Sequence, residues 1–426
     1  MTEDHMYERT VLDNGLRVWT ASMPHMHSVS LAFLIGLGSR YEADEEGGAA
    51  HFIEHMLFKG TDKYPTAREL AETIEGIGGV FNAGTGQEMT LYWAKVAQPH
   101  LPVALDVLLD MLRRPRFDSA ELEKERRVIV EEINLSLDLP DEWAHLLLTE
   151  LIWPAHPLGR NVAGTKESVA SLRREALLGA VSRYYSPSNM VLAVAGNLDS
   201  RTLMDLVMAS TGDWAPAPAP TYQLAVDSQT APQVRLGRRE TEQAHLCLSA
   251  PGLPREHPER FVLLLMNAIL GEGMSSRLFQ EIRERLGLAY DVSSFVTMLQ
   301  DTGAMVAYAG VDPERASLAL QAILAEWDKL RQTPVSPEEL RRAKEFVKGR
   351  LALQMEDTFN VAAWAGRQEL LTGCILSVDE VMEAIEAVMP EDIQHLAQRL
   401  FRAEKLNCAL VGPFADDEVF RKMVHL

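Results

Sequence analysis

Residues 90–133, TLYWAKVAQPHLPVALDVLLDMLRRPRFDSAELEKERRVIVEEI, run from a β-type stretch ending in a valine to an amphipathic helix, a turn and a second helix. The second helix starts at the capping pair Asp118-Ser119, followed by Glu121-Leu122. Residues 304–351, AMVAYAGVDPERASLALQAILAEWDKLRQTPVSPEELRRAKEFVKGRL, repeat that order, with Ser336 at the cap and Glu339-Leu340 after it. Two generic strand–helix–helix stretches can match by chance. A duplicated α+β unit is the natural interpretation, and it predicts two homologous domains, each a mainly antiparallel sheet with helices on one side.

A composition shift separates the copies. WAPAPAPTYQ, residues 214–223, alternates Pro216, Pro218 and Pro220 with alanine, so it cannot be helix interior and reads as an extended linker. The expected division is therefore a domain over 1–213, a linker over 214–232 and a second domain over 233–426. Asp13-Asn14-Gly15, between apolar segments, predicts a hairpin turn. SVSLAFLIGLGSRYE, beginning at Ser28, alternates well enough to predict a strand.

The 426 residues carry 61 acidic and 41 basic side chains, for a formal charge of −20. A surface this acidic excludes the basic footprint of a nucleic-acid binder. It serves solubility, or else lines a cavity that attracts cationic peptides. Cys247, Cys374 and Cys408 are scattered, with no CxxC pair, which suits a reducing compartment and offers neither a cysteine zinc site nor a disulfide framework. The amino-terminal MTEDHMYERTVLDNG has neither the basic and apolar regions of a signal peptide nor the bias of a transit peptide. No apolar run approaches the ~18 residues of a membrane span. A cytoplasmic protein without a membrane partner is expected.

The segment GGAAHFIEHMLFKGT, residues 47–61, carries the chemistry. Ala49, Ala50, Phe52, Ile53, Met56, Leu57 and Phe58 make it apolar on most faces, so a helix here is buried. At ~100° per residue, His51 and His55 lie about 40° apart, with Glu54 inside the same arc. Two imidazoles so placed can share one zinc ion, with Glu54 close enough to act as a general base. A pair of satisfied core histidines is the plain alternative. Three polar groups in one arc of an apolar helix are costly, however, unless something pairs with them.

HFIEHMLFKGT resembles the active-site helix of the inverted zincins, the pitrilysin/insulinase-type zinc peptidases that include the mitochondrial and bacterial processing peptidases. The resemblance implies a third ligand, a glutamate 77 positions after the second histidine, which is Glu132. Glu131 is adjacent, so periodicity must choose. On a helix from Ser119 with the stripe Leu122, Ile129 and Ile133, Glu132 and Glu125 fall within ~80° of Leu122, and Glu131 falls ~180° away. Both arguments select Glu132. Glu125 matches a second acidic position of the family and is assigned to orienting or charge-balancing a ligand, with a plain edge carboxylate as the alternative. Two histidines and a glutamate with an open fourth position form a catalytic zinc arrangement, one ion per chain.

Further matches extend the resemblance over nearly the whole chain. GGVFNAGTGQEMTLYWAKV, from Gly78, resembles the family's substrate-binding edge strand, with Asn82, Ala83 and Thr85 in its motif positions and Asn82 also available to orient Glu54. GEGMSSRLFQEIRERLGLAYDVSSF, from Gly271, resembles the partner-half motif, in which Arg283 holds the substrate and Tyr290 donates to the developing oxyanion. YYSPSNMVLAVAGN at 184–197 and HPLGRNVAGTKES at 156–168 match as well. The second half has no HxxEH, and Arg350 stands where Glu132 would be echoed.

The family implies a clamshell of two α+β domains and a zinc-dependent endopeptidase for short or unfolded peptides, with Glu54 activating water at the metal. Basic peptides are expected substrates if the acidic charge lines the chamber. The rival is a catalytically inactive peptide-binding or scaffold subunit, although such subunits generally lose one or more of the residues His51, Glu54, His55 and Glu132. A maturation peptidase would use the same site. Relatives of this size act as homodimers or as heterodimers with an inactive relative, and a homodimer is expected here.

Overall fold

The computed structural model describes residues 7–218 and 220–425. Residues 1–6 of the amino-terminal stretch MTEDHMYERTVLDNG lie outside the described residues, as does position 219 of the linker. The chain forms two compact units. One gathers Met1–Ile133, Asn161–Gln223 and Leu353–Ile375; the other gathers Asn134–Arg160, Leu224–Ala352 and Leu376–Leu426. Relative to a division at 214–232, residues 134–160 and 353–375 therefore change places. The linker stretch carries no helix or strand among its described residues.

The first unit is built on six strands, β1 (Tyr7–Val11), β2 (Arg17–Ser22), β3 (Ser28–Ile35), β4 (Val80–Thr85), β5 (Thr90–Ala97) and β6 (Met190–Gly196). Their order is β1-β2-β6-β3-β5-β4, parallel only between β2 and β6. The β1–β2 hairpin turns through Asp13-Asn14-Gly15. Gly15 takes φ 86°, and Asn14 Oδ1 accepts from Leu16 N at 3.1 Å. Strand β3 is buried along nearly its whole length, because helices cover one face of the sheet and another helix covers the second.

The second unit holds β7 (Gln233–Arg238), β8 (Ala244–Pro251), β9 (Ala289–Met298), β10 (Gly303–Val311) and β11 (Asn407–Gly412). Their order is β7-β11-β8-β10-β9, parallel only between β11 and β7. Apart from the extra strand β1, this is the first sheet's topology, strand for strand, including the place of the parallel pair. After β5 come helices Leu101–Arg113 and Ser119–Asp138, and after β10 come Ala316–Gln332 and Pro337–Gln354. The repeat is real, and the α+β class with it.

Helices are not confined to one side of either sheet. In the first unit, helix Thr358–Thr372 lies on the face formed by Trp19, Ala32, Leu34, Ala193 and Ala195, through Val361, Ala362 and Ala365. The approach is close: a Cβ on Gly366 would lie 2.3 Å from Leu34 Cδ1. In the second unit, helix Pro140–Ile152 sets Ala144, Leu148 and Leu151 against Cys247, Ala409 and Val411. Burying each large side chain of this kind contributes about 1.5–3 kcal/mol. The second faces escaped the sequence because a covering helix far away in the chain leaves no local signal beyond its own small residues. In the core on the other face of the second sheet, Trp327 stacks on Phe401 with centroids 4.4 Å apart.

Candidate metal centre

Helix Ala49–Leu57 is held at its start by a carboxylate. Buried Glu42 accepts from Gly48 N at 2.9 Å and from Ala50 N at 2.7 Å, satisfying two of the free N–H groups of the first turn. Gly48 adopts φ 90°, and a Cβ there would lie 2.6 Å from Ala163 O. Ser168 Oγ donates to Gly47 O at 2.7 Å. The 156–168 motif thus clamps the start of the metal helix. Ala49, Ala50, Phe52, Ile53, Met56 and Leu57 fill the core, leaving His51, Glu54 and His55 half-buried on the remaining arc.

Helix Ser119–Asp138 buries Leu122, Glu125, Ile129 and Ile133 and brings Glu132 to the histidines, while Glu131 is exposed. Glu132 Oε2 is 3.4 Å from His55 Nε2 and 3.8 Å from His51 Nε2, and the two Nε2 atoms are 3.3 Å apart. The three ligand atoms all lie within 4.8 Å of one another. A tetrahedral ion with bonds of about 2.0–2.2 Å separates its ligand atoms by about 3.3–3.6 Å. The donor set and its spacing therefore fit zinc.

The tautomer fits too. His55 Nδ1 lies 3.1 Å from Glu125 Oε2, an arrangement in which the ring donates there and keeps its Nε2 lone pair for the cluster. Lys59 Nζ sits 2.7 Å from the other oxygen of Glu125 and balances its charge. Burial first, and the neighbouring His55 second, lower the His51 pKa to about 4, so this ring stays neutral and able to coordinate. His51 Nδ1 is buried without a hydrogen-bond partner among the described residues.

Glu54 stands beside this group but outside it. Its Oε2 accepts from Thr85 Oγ1 at 2.5 Å. Burial raises the Glu54 pKa, as does the nearby Glu132, while the Thr85 hydrogen bond and His55 act the other way. That environment favours a carboxylate ready to take up a proton.

Strand β4, which carries Asn82, Ala83 and Thr85, is the outermost strand of its sheet. Phe81, Ala83 and Thr85 are half-buried, and Thr85 meets Glu54. Asn82 Oδ1 accepts from the adjacent Ala83 N at 2.8 Å, so the hydroxyl of Thr85, rather than Asn82, holds Glu54. Sequence periodicity had no means of finding Lys59, Glu42 or the Thr85 contact; a carboxylate shortly before a Gly-Gly helix start was the one available signal. Arg283 and Tyr290 belong to the second unit and meet each other. Arg283, on the π-helical stretch Phe279–Arg285, donates through Nη1 to Tyr290 O at 2.9 Å, with its guanidinium 4.6 Å from the centre of that ring. Tyr290 is 78% exposed, leaving its hydroxyl available. Arg350 pairs with Glu272 at 3.1 Å.

An α+β unit is repeated along one chain, and the first copy carries a histidine–histidine–glutamate group with metal-ligand spacing. Residues 17–166 match the family model described as Insulinase (Peptidase family M16), and residues 171–347 match Peptidase M16 inactive domain. The chain is 38% identical over 408 residues to the uncharacterized zinc protease YmxG of Bacillus subtilis (strain 168), covering 96% of this chain and 98% of that one. It is 34% identical over 419 residues to an uncharacterized zinc protease of Streptomyces coelicolor, covering 97% and 91%. A crystal structure of a protease from Helicobacter pylori shares the fold with a TM-score of 0.91 at 21% identity, covering 96% and 99%. The chain belongs to peptidase family M16, the pitrilysin/insulinase-type family. No helix among the described residues is long and apolar enough to cross a membrane.

Proposed function

We propose that the protein is a zinc-dependent endopeptidase acting on short or unfolded peptides, with His51, His55 and Glu132 as the ligands. The observation that carries this is the convergence of the three ligand atoms within 4.8 Å, with Glu54 next to them and outside the ligand set. Zinc, when bound, supplies a Lewis acid that polarises a carbonyl and acidifies water.

The chain's own residues supply the rest. Glu125 fixes the orientation of the His55 ring through Nδ1 and leaves Nε2 free to coordinate. Thr85 holds one oxygen of Glu54, which leaves the second to receive a proton from the attacking water and return it to the leaving amine. The outer edge of β4 faces no further strand of its sheet, so an extended peptide can add there as one.

The test is zinc content and cleavage of a mixed peptide library by the wild type and by Glu54→Gln. Both should hold about one zinc per chain, and cleavage should fall by at least about 10²-fold in the variant. A wild type that holds zinc and cleaves nothing overturns the peptidase assignment.

A further inference from the structure

The sheet face turned away from the metal helix is unevenly covered where β4 and β5 meet. Along β4, Val80, Asn82 and Gly84 point to that face and are exposed, opposite Lys95, Trp93 and Leu91 of β5. Helix Thr358–Thr372 packs over β3 and β6 and reaches β5 where Phe359 lies against Trp93, with ring centroids 4.3 Å apart. Leu91, Trp93 and Phe359 are left half-buried. Lys95 closes one end of this strip and is neutralised by Asp357 at 2.6 Å, so the middle is apolar and uncharged.

Gly84 makes the strip reachable from the sheet edge. A Cβ built there meets nothing within 4 Å, and its φ lies outside the left-handed region, so backbone conformation does not explain the glycine. Side chains directly opposite on paired strands share a face, and residues two apart along a strand share it too. Neighbouring strands lie about 4.8 Å apart. A large side chain on a strand added at β4 can therefore lean across the bare Gly84 and touch Leu91 and Trp93.

Resting on the peptidase reading, we propose that Gly84, Leu91, Trp93 and Phe359 form a specificity shelf for large apolar or aromatic side chains. The shelf takes two residues of the bound peptide, spaced two apart, opposite Gly84 and Asn82. The intervening residue points to the opposite face, where Thr85 and Glu54 stand. The occupant is the peptide itself, and the shelf is continuous with the edge that holds its backbone.

The experiment is a positional scan of unstructured peptides with the zinc-loaded enzyme, read as the ratio of kcat/KM for Phe or Leu over Ala at each position. In the wild type, two positions spaced two apart should each give a ratio of at least about ten. Gly84→Val, which fills the open space, should reduce both ratios below about three. Trp93→Leu, which keeps the strip apolar, should shift preference from aromatic to aliphatic side chains. A wild-type ratio near one at every position overturns the shelf while leaving the peptidase reading intact, as does a ratio that survives both substitutions. If no peptide is cleaved, the peptidase reading itself falls and takes the shelf with it.

Discussion

Thr85, at the end of the outermost strand, donates its hydroxyl to Glu54 on the metal helix at 2.5 Å. The contact joins the outermost strand of the sheet to the carboxylate beside the histidine–histidine–glutamate group through one side chain. Thr85→Val should lower kcat by about 10–100-fold, since a half-buried carboxylate loses a donor worth about 1–3 kcal/mol. Zinc content should be unchanged and Thr85→Ser should restore the rate. A rise in KM with kcat intact would instead make Thr85 a substrate contact.

Glu132 and Glu131 are neighbours with opposite orientations. Glu132→Gln should weaken zinc binding by at least about 100-fold, and Glu131→Gln by less than about threefold. Competition with a chromogenic chelator measures both.

Glu125 Oε2 meets the Nδ1 side of the His55 ring at 3.1 Å. Glu125→Gln should reduce zinc affinity by about 10–100-fold, with the far-ultraviolet circular dichroism unchanged. Lys59→Met should not lower that affinity, because the carboxylate stays in place and a positive charge close to the cation site is removed.

Gly48 should not tolerate a side chain. Its φ of 90° and the 2.6 Å approach of a Cβ to Ala163 O together should make Gly48→Ala less stable by about 2 kcal/mol or more in urea denaturation. Equal midpoints for variant and wild type would remove the clamp from the account of the metal helix.

The metal-free protein should lose stability on acidification through His51. The folded state holds this imidazole at about 4, below the ordinary value of 6.5, so the unfolded state binds the extra proton first. Stability contributed above pH ~6.5 is lost as pH falls towards ~4, by on the order of 3 kcal/mol. Glu54, shifted upwards by burial, acts in the opposite sense. Comparison with His51→Asn isolates the histidine: the wild type should lose stability over this window relative to the variant. Parallel pH profiles would contradict the assignment.

Local pattern determined much of this protein. The strand–helix–helix order of residues 90–133 and 304–351 was legible because periodicities of two and 3.6 residues are written in consecutive side chains. The same rule placed Glu132 on the buried edge of its helix and Glu131 on the solvent side. The Asp13-Asn14-Gly15 turn followed from the backbone that glycine alone adopts readily. Tertiary structure decided what no local pattern encodes. It exchanged residues 134–160 and 353–375 between the two units, and it set Glu42 and Ser168 on the start of the metal helix. It gave Glu54 to Thr85 rather than Asn82, and it left Leu91 and Trp93 open beside Gly84. Each of these depends on which faces meet, and residues distant in sequence acquire that relation only when their elements pack.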